Sequence, residues 1–141
     1  ATLRAARARA RTQQQVLVEL ARADERAYRA VLDRSQAASE SSVLAGDFEE
    51  RQARSAATEI PIRVAEICRG VLEDVSSWKS LCWPAVRPDL EVGIELLGVG
   101  VRTGLQVADT NLKVWADSLA GSSLGQRLDA LREAKVEGGS H

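Results

Sequence analysis

Apolar residues recur at the spacing of an α-helix in the first third of the chain. Intervals of three and four residues place them on one helical face, which is typical of an amphipathic helix that packs against a core. The set is Val16, Leu20, Ala23, Ala27 and Val31, widened by Leu17, Tyr28 and Leu32. We predict a first helix from Thr2 to about Ala38, followed by a polar linker from Ser35 to Gly46.

A second apolar stripe predicts a second helix from Asp47 to about Trp78. Its members are Ile60, Val64, Ile67, Val71, Leu72 and Val75. Asp47, with Glu50 three residues later, has the pattern of a capping box. Pro61 lies inside this helix and lacks an amide N–H, so we expect a kink near Thr58. Cys68 falls beside the stripe and is expected to be a small buried hydrophobe.

The last third of the chain predicts a loop and two more helices. Two tryptophans and two prolines between Trp78 and Pro88 indicate a loop whose rings cover one end of the helices. A stripe then predicts a third helix from Leu90 to about Leu119, ended by Gly121, and a short helix from Ser122 to about Val136. The stripe contains Leu90, Ile94, Leu97, Val101, Leu105, Ala108, Leu112 and Trp115.

A stripe of small residues, Gly93, Gly100, Gly104 and Ala108, runs along the third helix. Each glycine inside a helix costs on the order of 1 kcal/mol, so their recurrence indicates that another backbone comes close. Two long helices with broad apolar faces in so short a chain suggest a core completed by a partner subunit. We therefore predict a homodimer and place the glycine stripe at its interface.

The composition agrees with one helical domain. The 141 residues are 45% hydrophobic and 28% charged, which is ordinary for a globular protein, and only 4% are aromatic. Helix-forming residues dominate, so we predict an all-α antiparallel helical bundle with long kinked helices. We assign residues 1–137 to this domain. Residues 138–141 resemble the start of a linker and tag, and we expect that Ala1 is not the native start, because the sequence contains no methionine.

The charge and the residue types exclude several function classes. Nineteen basic and twenty acidic residues give a net charge of −1, so bulk positive charge for binding nucleic acid is absent. The best apolar run, Val92 to Val101, is too short to span a membrane and contains Glu95. His141 is the only histidine, which excludes a Ser–His or Cys–His pair and a histidine metal site within one chain. We expect a cytoplasmic protein with no nucleic-acid or membrane partner.

A few polar residues lie on apolar faces and are candidates for chemistry. Asp24 lies between two core positions of the first helix, and Tyr28 follows one turn later. Asp89 begins the third helix, and Asn111 lies on its buried side. A carboxyl group beside an apolar face suits general acid–base work, because burial favours its protonated form. The spacing is equally consistent with structural roles for these residues. Asp24 would be a carboxylate at the rim of the core that pairs with a neighbouring arginine, Asp89 would cap the third helix, and Asn111 would be a buried amide with its hydrogen bonds satisfied.

Four segments, in order, resemble motifs of the cyclodeaminase/cyclohydrolase family. Residues 23–28 look like its Asp-x-x-Ala-Phe/Tyr segment, and residues 57–66 are similar to its Ala-Thr-x-x-Pro-Leu-x-x-Ala-Glu segment. Residues 89–93 resemble its Ser-Asp-Leu-x-Val-Ala helix start, and residues 111–113 resemble the end of its Asn-Val-x-x-Asn-Leu-Lys segment. The matches cover roughly residues 10 to 120. The family's Pro-Gly-Gly-Gly-Ser loop has no counterpart here, and Val107 stands at the first asparagine of the last motif.

The resemblance implies a helical, usually dimeric protein that acts on folate one-carbon units. Such proteins convert formiminotetrahydrofolate to methenyltetrahydrofolate and ammonia, or hydrolyse the methenyl form. It implies that Asp24 is the general acid–base and that Asp89 and Asn111 hold the pterin or orient Asp24, with Tyr28 as a further substrate-binding residue. No metal or nucleotide cofactor is implied. The alternative is a non-catalytic or repurposed helical-bundle dimer that binds another small molecule or a protein partner.

Overall fold

The computed structural model describes residues 3–37, 43–76 and 78–133, which form four α-helices and two short 3-10 turns. The helices are α1 (Leu3–Ala37), α2 (Val43–Ser76), α3 (Arg87–Val114) and α4 (Leu124–Glu133), and the turns are Lys79–Leu81 and Pro84–Val86. These residues contain no β-strand, which confirms the all-α prediction. None of the described helices is both long and apolar enough to cross a lipid bilayer.

The helix boundaries differ from the predicted ones by several residues. α2 begins at Val43, so Asp47 lies inside the helix and does not cap it. α3 begins at Arg87, which puts Pro88 in the first turn, where its missing amide N–H breaks no helical hydrogen bond. The same helix ends at Val114, earlier than predicted. Gly121 instead makes the reversal before α4, with a φ of 79° that suits glycine.

Several predicted segments lie outside the described residues. They are the centre of the expected linker at 38–42, the end of the last helix at 134–136 and the tag-like residues 138–141. Within the described loop, Trp78 is half-buried but Trp83 is 75% exposed to solvent. The prediction that both rings cover an end of the helices is therefore wrong for Trp83.

α2 lies at the centre of the fold because it packs on both sides. One buried cluster joins it to α1 and comprises Leu20, Ala27, Val31, Ala57 and Ile60. Ion pairs join the same two helices near their ends, Arg9 to Asp74 at 3.2 Å and Arg34 to Glu49. The other cluster joins α2 to α3, α4 and the turn between them: Ile62, Ala65, Ala108, Leu119, Leu124, Leu128 and Leu131. Trp115 packs against both clusters.

Ion pairs and apolar contacts together hold the short helix α4. Ten residues are too few for a helix to be stable alone in water, so tertiary contacts must stabilise it. Arg127 binds Glu66 at 2.9 Å and Glu59 at 3.3 Å on α2. Arg132 binds Asp109 on α3 at 2.6 Å. These cross-helix pairs flank the buried leucines of α4.

The glycines of α3 do bring another backbone close, but it is that of α2 in the same chain. A Cβ at Gly104 would lie 2.5 Å from the carbonyl oxygen of Pro61, and one at Gly100 would lie 2.7 Å from the Sγ of Cys68. A Cβ at Gly93 would meet nothing within 4 Å. The close approach is thus confirmed at these two positions, and the neighbour there is α2 of the same chain. The predicted place of the glycine stripe at a dimer interface stays a prediction.

This packing predicts opposite effects for the same substitution at two glycines of α3. Gly104→Ala should destabilise the protein by about 1–3 kcal/mol, because the added methyl group collides with a backbone carbonyl that cannot rotate away. Gly93→Ala should stabilise it by up to about 1 kcal/mol, because alanine favours the helix and the site is open. Urea unfolding of both variants measures the difference. Equal free energies of unfolding would contradict this account of the α2–α3 contact.

Candidate functional site

α1, α2 and α3 enclose a groove of about 480 Å³ that is open to solvent. The central helix α2 supplies Ile60, Pro61 and Val64, and the flanking helices supply the other lining residues. Those residues are Leu17, Leu20, Ala21 and Asp24 from α1, and Leu96, Val99, Gly100, Thr103, Gly104 and Val107 from α3. The volume lies within the range of small-molecule sites, which are mostly apolar with a few placed polar groups.

Among the described residues that line the groove, Asp24 is the only ionisable one. Thr103 is the only other member of that described lining with a polar side chain. α1 positions Asp24 one turn after Leu20, whose buried side chain packs in the cluster with α2. Asp24 is exposed and has no ion pair with the described residues Arg22 and Arg26, the expected structural partners. A carboxyl group so placed can contact a ligand in the groove and exchange protons with water.

The other three predicted site residues do not line the groove. Tyr28 lies one turn beyond Asp24 on α1 and is exposed. Asp89 is exposed in the first turn of α3, about 10 Å along the helix before the first lining residue, Leu96. Asn111 lies one turn after the last lining residue of α3, Val107. Of the four predicted residues, the structure therefore places only Asp24 in the groove.

Asn111 has a structural partner that the sequence did not suggest. Its Nδ2 donates a hydrogen bond to the carbonyl oxygen of Ala57 at 3.1 Å. In an unbroken α-helix this carbonyl would accept from the amide N–H of residue 61, but residue 61 is proline and has none. Asn111 thus supplies the donor that Pro61 lacks, and α2 runs from Val43 to Ser76 through the proline. The predicted kink near Thr58 stays a prediction.

Sequence reasoning missed most residues that form the walls of the groove. On α3, Leu96, Val99, Thr103 and Val107 recur at intervals of three and four residues, on a face next to the buried stripe. This second stripe is a signal that could have been found, because exposed apolar residues at helical spacing indicate a surface that binds something. The partnership of Asn111 with Ala57 carries no local signal, since 54 residues separate them.

The cysteines do not form a second chemical centre. Burial raises the pKa of the Cys68 thiol, so it remains protonated and packs as a small hydrophobe, as predicted. Cys82 is half-buried in the loop before α3 and donates to the carbonyl oxygen of Trp83 at 3.7 Å. Among the residues that the structure describes, no three His, Cys, Asp or Glu side chains group so that they could hold a metal ion.

Comparison with known protein families identifies a match over most of the chain. The sequence model of a family described as formiminotransferase-cyclodeaminase matches residues 1–130. This range includes the groove, Asp24 and all three helices that contribute lining residues. No curated protein and no solved structure matches the chain.

The hydrogen bond from Asn111 predicts an energetic coupling to Pro61. Asn111→Leu should destabilise the protein by about 1–3 kcal/mol, because the Ala57 carbonyl then has no donor. In a Pro61→Ala background the cost should fall by about 1 kcal/mol, because the amide N–H of the new alanine serves the same carbonyl. A double-mutant cycle by urea unfolding measures this coupling.

The control for that cycle is Gln106→Leu, which removes an exposed amide from the same helix. Its effect should stay within about 0.5 kcal/mol, as is usual at exposed positions. Strict additivity of Asn111→Leu and Pro61→Ala would show that the asparagine does not replace the missing amide of the proline.

Proposed function

The chain belongs to the formiminotransferase-cyclodeaminase family, and we propose that it binds a one-carbon derivative of tetrahydrofolate in the groove beside Asp24. One observation carries this proposal. The residue that the sequence resemblance makes the acid–base group is the only ionisable residue in the part of the groove lining that the structure describes. The remaining lining is apolar apart from Thr103, which suits the flat ring system of a pterin, because aromatic rings gain most from contact with apolar walls.

The proposed reaction closes a ring and releases ammonia, and both steps move a proton. A nitrogen of the folate attacks the formimino carbon, and the bond from that carbon to the formimino nitrogen breaks. The formimino nitrogen starts protonated (=NH2+), so the proton that the attacking nitrogen gives up is the one further proton that the departing nitrogen needs to leave as ammonia. Asp24 takes this proton from the attacking nitrogen and delivers it to the departing one, so the carboxyl group ends in its starting state. Positioned proton transfer of this kind contributes roughly 10²–10⁴-fold to a rate.

Hydrolysis of a methenyl group would use the same carboxyl group differently. There Asp24 would take one proton from the attacking water and return it to the departing ring nitrogen, and the second proton of the water would pass to solvent as the formyl C=O forms. Both reactions need only acid–base chemistry on the substrate itself, so the proposal includes no metal or nucleotide cofactor. We place lyase chemistry first because the matching family is described by its cyclodeaminase activity.

We further propose that the helices form an antiparallel bundle and that two copies associate. The pairing of Arg9 with Asp74 and of Arg34 with Glu49 supports the first point, because each pair joins opposite ends of α1 and α2. Large apolar side chains that are exposed on α3 support the second. The two cysteines are free, which is consistent with the cytoplasmic location that we propose.

A second candidate function is binding without turnover, by a bundle of this family that takes another small molecule or a protein partner. A specific observation favours it. Tyr28 and Asp89 are not among the lining residues, and the amide of Asn111 is engaged by the Ala57 carbonyl. The groove therefore offers Asp24 and Thr103 as its polar side chains, and a pterin usually requires several polar contacts for orientation.

Isothermal titration with 5-formyltetrahydrofolate, a stable reduced folate, separates the two candidates. We expect the wild-type protein to bind with micromolar affinity. Asp24→Asn, which keeps the shape of the side chain, should change the affinity less than about tenfold. It should lower the rate of ammonia release from formiminotetrahydrofolate by about 10²–10⁴-fold, because the amide cannot shuttle a proton.

Asp33→Asn is the matched control, since it makes the same change at an exposed position of α1 outside the groove. Its binding and turnover should equal those of the wild type. A folded wild-type protein that binds no reduced folate would contradict the folate proposal and leave the second candidate. Folate turnover that survives Asp24→Asn would contradict the role of Asp24 alone.

A further inference from the structure

One threonine of the groove has a hydroxyl group that its own helix does not use. The other threonines in the described part of the chain donate to the carbonyl oxygen four residues earlier, as threonine commonly does inside a helix. These bonds run from Thr12 to Ala8 at 3.2 Å, from Thr58 to Arg54 at 2.8 Å and from Thr110 to Gln106 at 3.0 Å. The hydroxyl of Thr103 makes no hydrogen bond with the residues that the structure describes.

Thr103 is exposed and lines the groove, so its hydroxyl is available to a molecule bound there. The lining residues near it on α3 are Leu96, Val99 and Val107, whose side chains are apolar. A ligand that covers this wall displaces the water on the hydroxyl, and a hydrogen bond that is not replaced costs affinity. The groove therefore favours a ligand with a polar atom at Thr103 over one that is apolar there.

The packing on both sides of α2 gives the separation of Thr103 from Asp24 along the groove. The two ion pairs between α1 and α2 place Asp24 level with Glu59. The contacts of α3 with α2 that are described above place Thr103 level with Ala65. These levels are about six residues apart on α2, which is about 9 Å at the rise of an α-helix. A one-carbon group beside Asp24 is too small to reach Thr103, so the two side chains contact different parts of one ligand.

A reduced folate has amide groups at a distance from its one-carbon group. The pterin ring contains one amide, and a second amide joins the benzoyl group to glutamate. Each has a carbonyl oxygen that accepts a hydrogen bond and an N–H group that donates one. A threonine hydroxyl can both donate and accept, so it is a suitable partner for either amide.

We propose that the Thr103 hydroxyl binds an amide group of the folate whose one-carbon group lies at Asp24. The inference rests on the proposed folate function and adds a residue that anchors the substrate. Asp24 moves the protons, and Thr103 holds the ligand at a second point. Two fixed points restrict the motion of a flat ring system in an otherwise apolar groove. Thr103 is thus a binding residue that discriminates between folates and apolar molecules of similar size.

Removal of the hydroxyl alone tests this role. Thr103→Val keeps the branched shape of the side chain and should weaken the binding of 5-formyltetrahydrofolate by about three- to tenfold, the value of one hydrogen bond. Thr103→Ser keeps the hydroxyl and should bind within about twofold of the wild type. Isothermal titration measures the affinities. Circular dichroism should show unchanged helix content, because Thr103 is exposed.

Thr110→Val is the matched control. It makes the same change on α3, at an exposed position that is not among the lining residues. The hydroxyl that it removes is already bonded to its own helix. Its affinity for the folate should equal that of the wild type.

A truncated ligand identifies the amide that Thr103 binds. 5-Formyl-6-methyltetrahydropterin keeps the pterin ring and lacks the benzoylglutamate part. If Thr103 binds the ring amide, Thr103→Val weakens the binding of this compound as well as that of the full folate. If Thr103 binds the other amide, the substitution weakens the binding of the full folate alone. Either result supports the anchor.

Full affinity of Thr103→Val, beside a wild-type protein that binds the folate, would overturn the anchor and leave the folate function standing. An equal loss in Thr103→Ser or in Thr110→Val would also overturn it, because the hydroxyl at position 103 would then not be the cause. A folded wild-type protein that binds no reduced folate would overturn both proposals. The failure of the anchor is therefore distinct from the failure of the folate function.

Discussion

The close approach of α3 to α2 at Pro61 is the contact on which the rest of the structure depends. Gly104 has no side chain, so its backbone can reach the Pro61 carbonyl. About two turns further along α3, Asn111 donates to the Ala57 carbonyl that the proline leaves without an amide. The central helix therefore keeps a proline in its middle because a neighbouring helix supplies the missing donor. Pro61 and Gly104 also line the groove, so the same contact shapes the site.

The periodicity of the sequence predicted the helices and much of the core, because burial of an apolar face decides both. Leu20, Ala27 and Val31 are buried where the first stripe placed them. The boundaries were less accurate, since caps are weak local signals, and α2 begins at Val43, four residues before the predicted cap Asp47. The glycine stripe predicted that another backbone lies close to α3, but not which chain that backbone belongs to. The spacing within one helix is the same whether the neighbouring helix is part of the same chain or of another.

The candidate site was predictable only in part, for a related reason. Asp24 could be found because a carboxyl group between two core positions is unusual, and the structure places it in the groove. Tyr28 was tied to Asp24 by its helical spacing as well as by the resemblance, and Asp89 by the resemblance. Neither residue is among the lining residues, because the rise of the helix carries each of them beyond an end of the groove. The role of Asn111 depends on a carbonyl 54 residues away, so only the tertiary structure reveals it.

Trp115 packs against both buried clusters and has a consequence for how the protein is made. The buried cluster between α1 and α2 is packed against the side chain of Trp115, which follows the last residue of α3 and is far from both helices in sequence. During synthesis, the hairpin of the first two helices leaves the ribosome with its core incomplete. The cluster between α1 and α2 is complete only after the chain has been extended past residue 115. Until then, the nascent chain depends on its own solubility or on a chaperone.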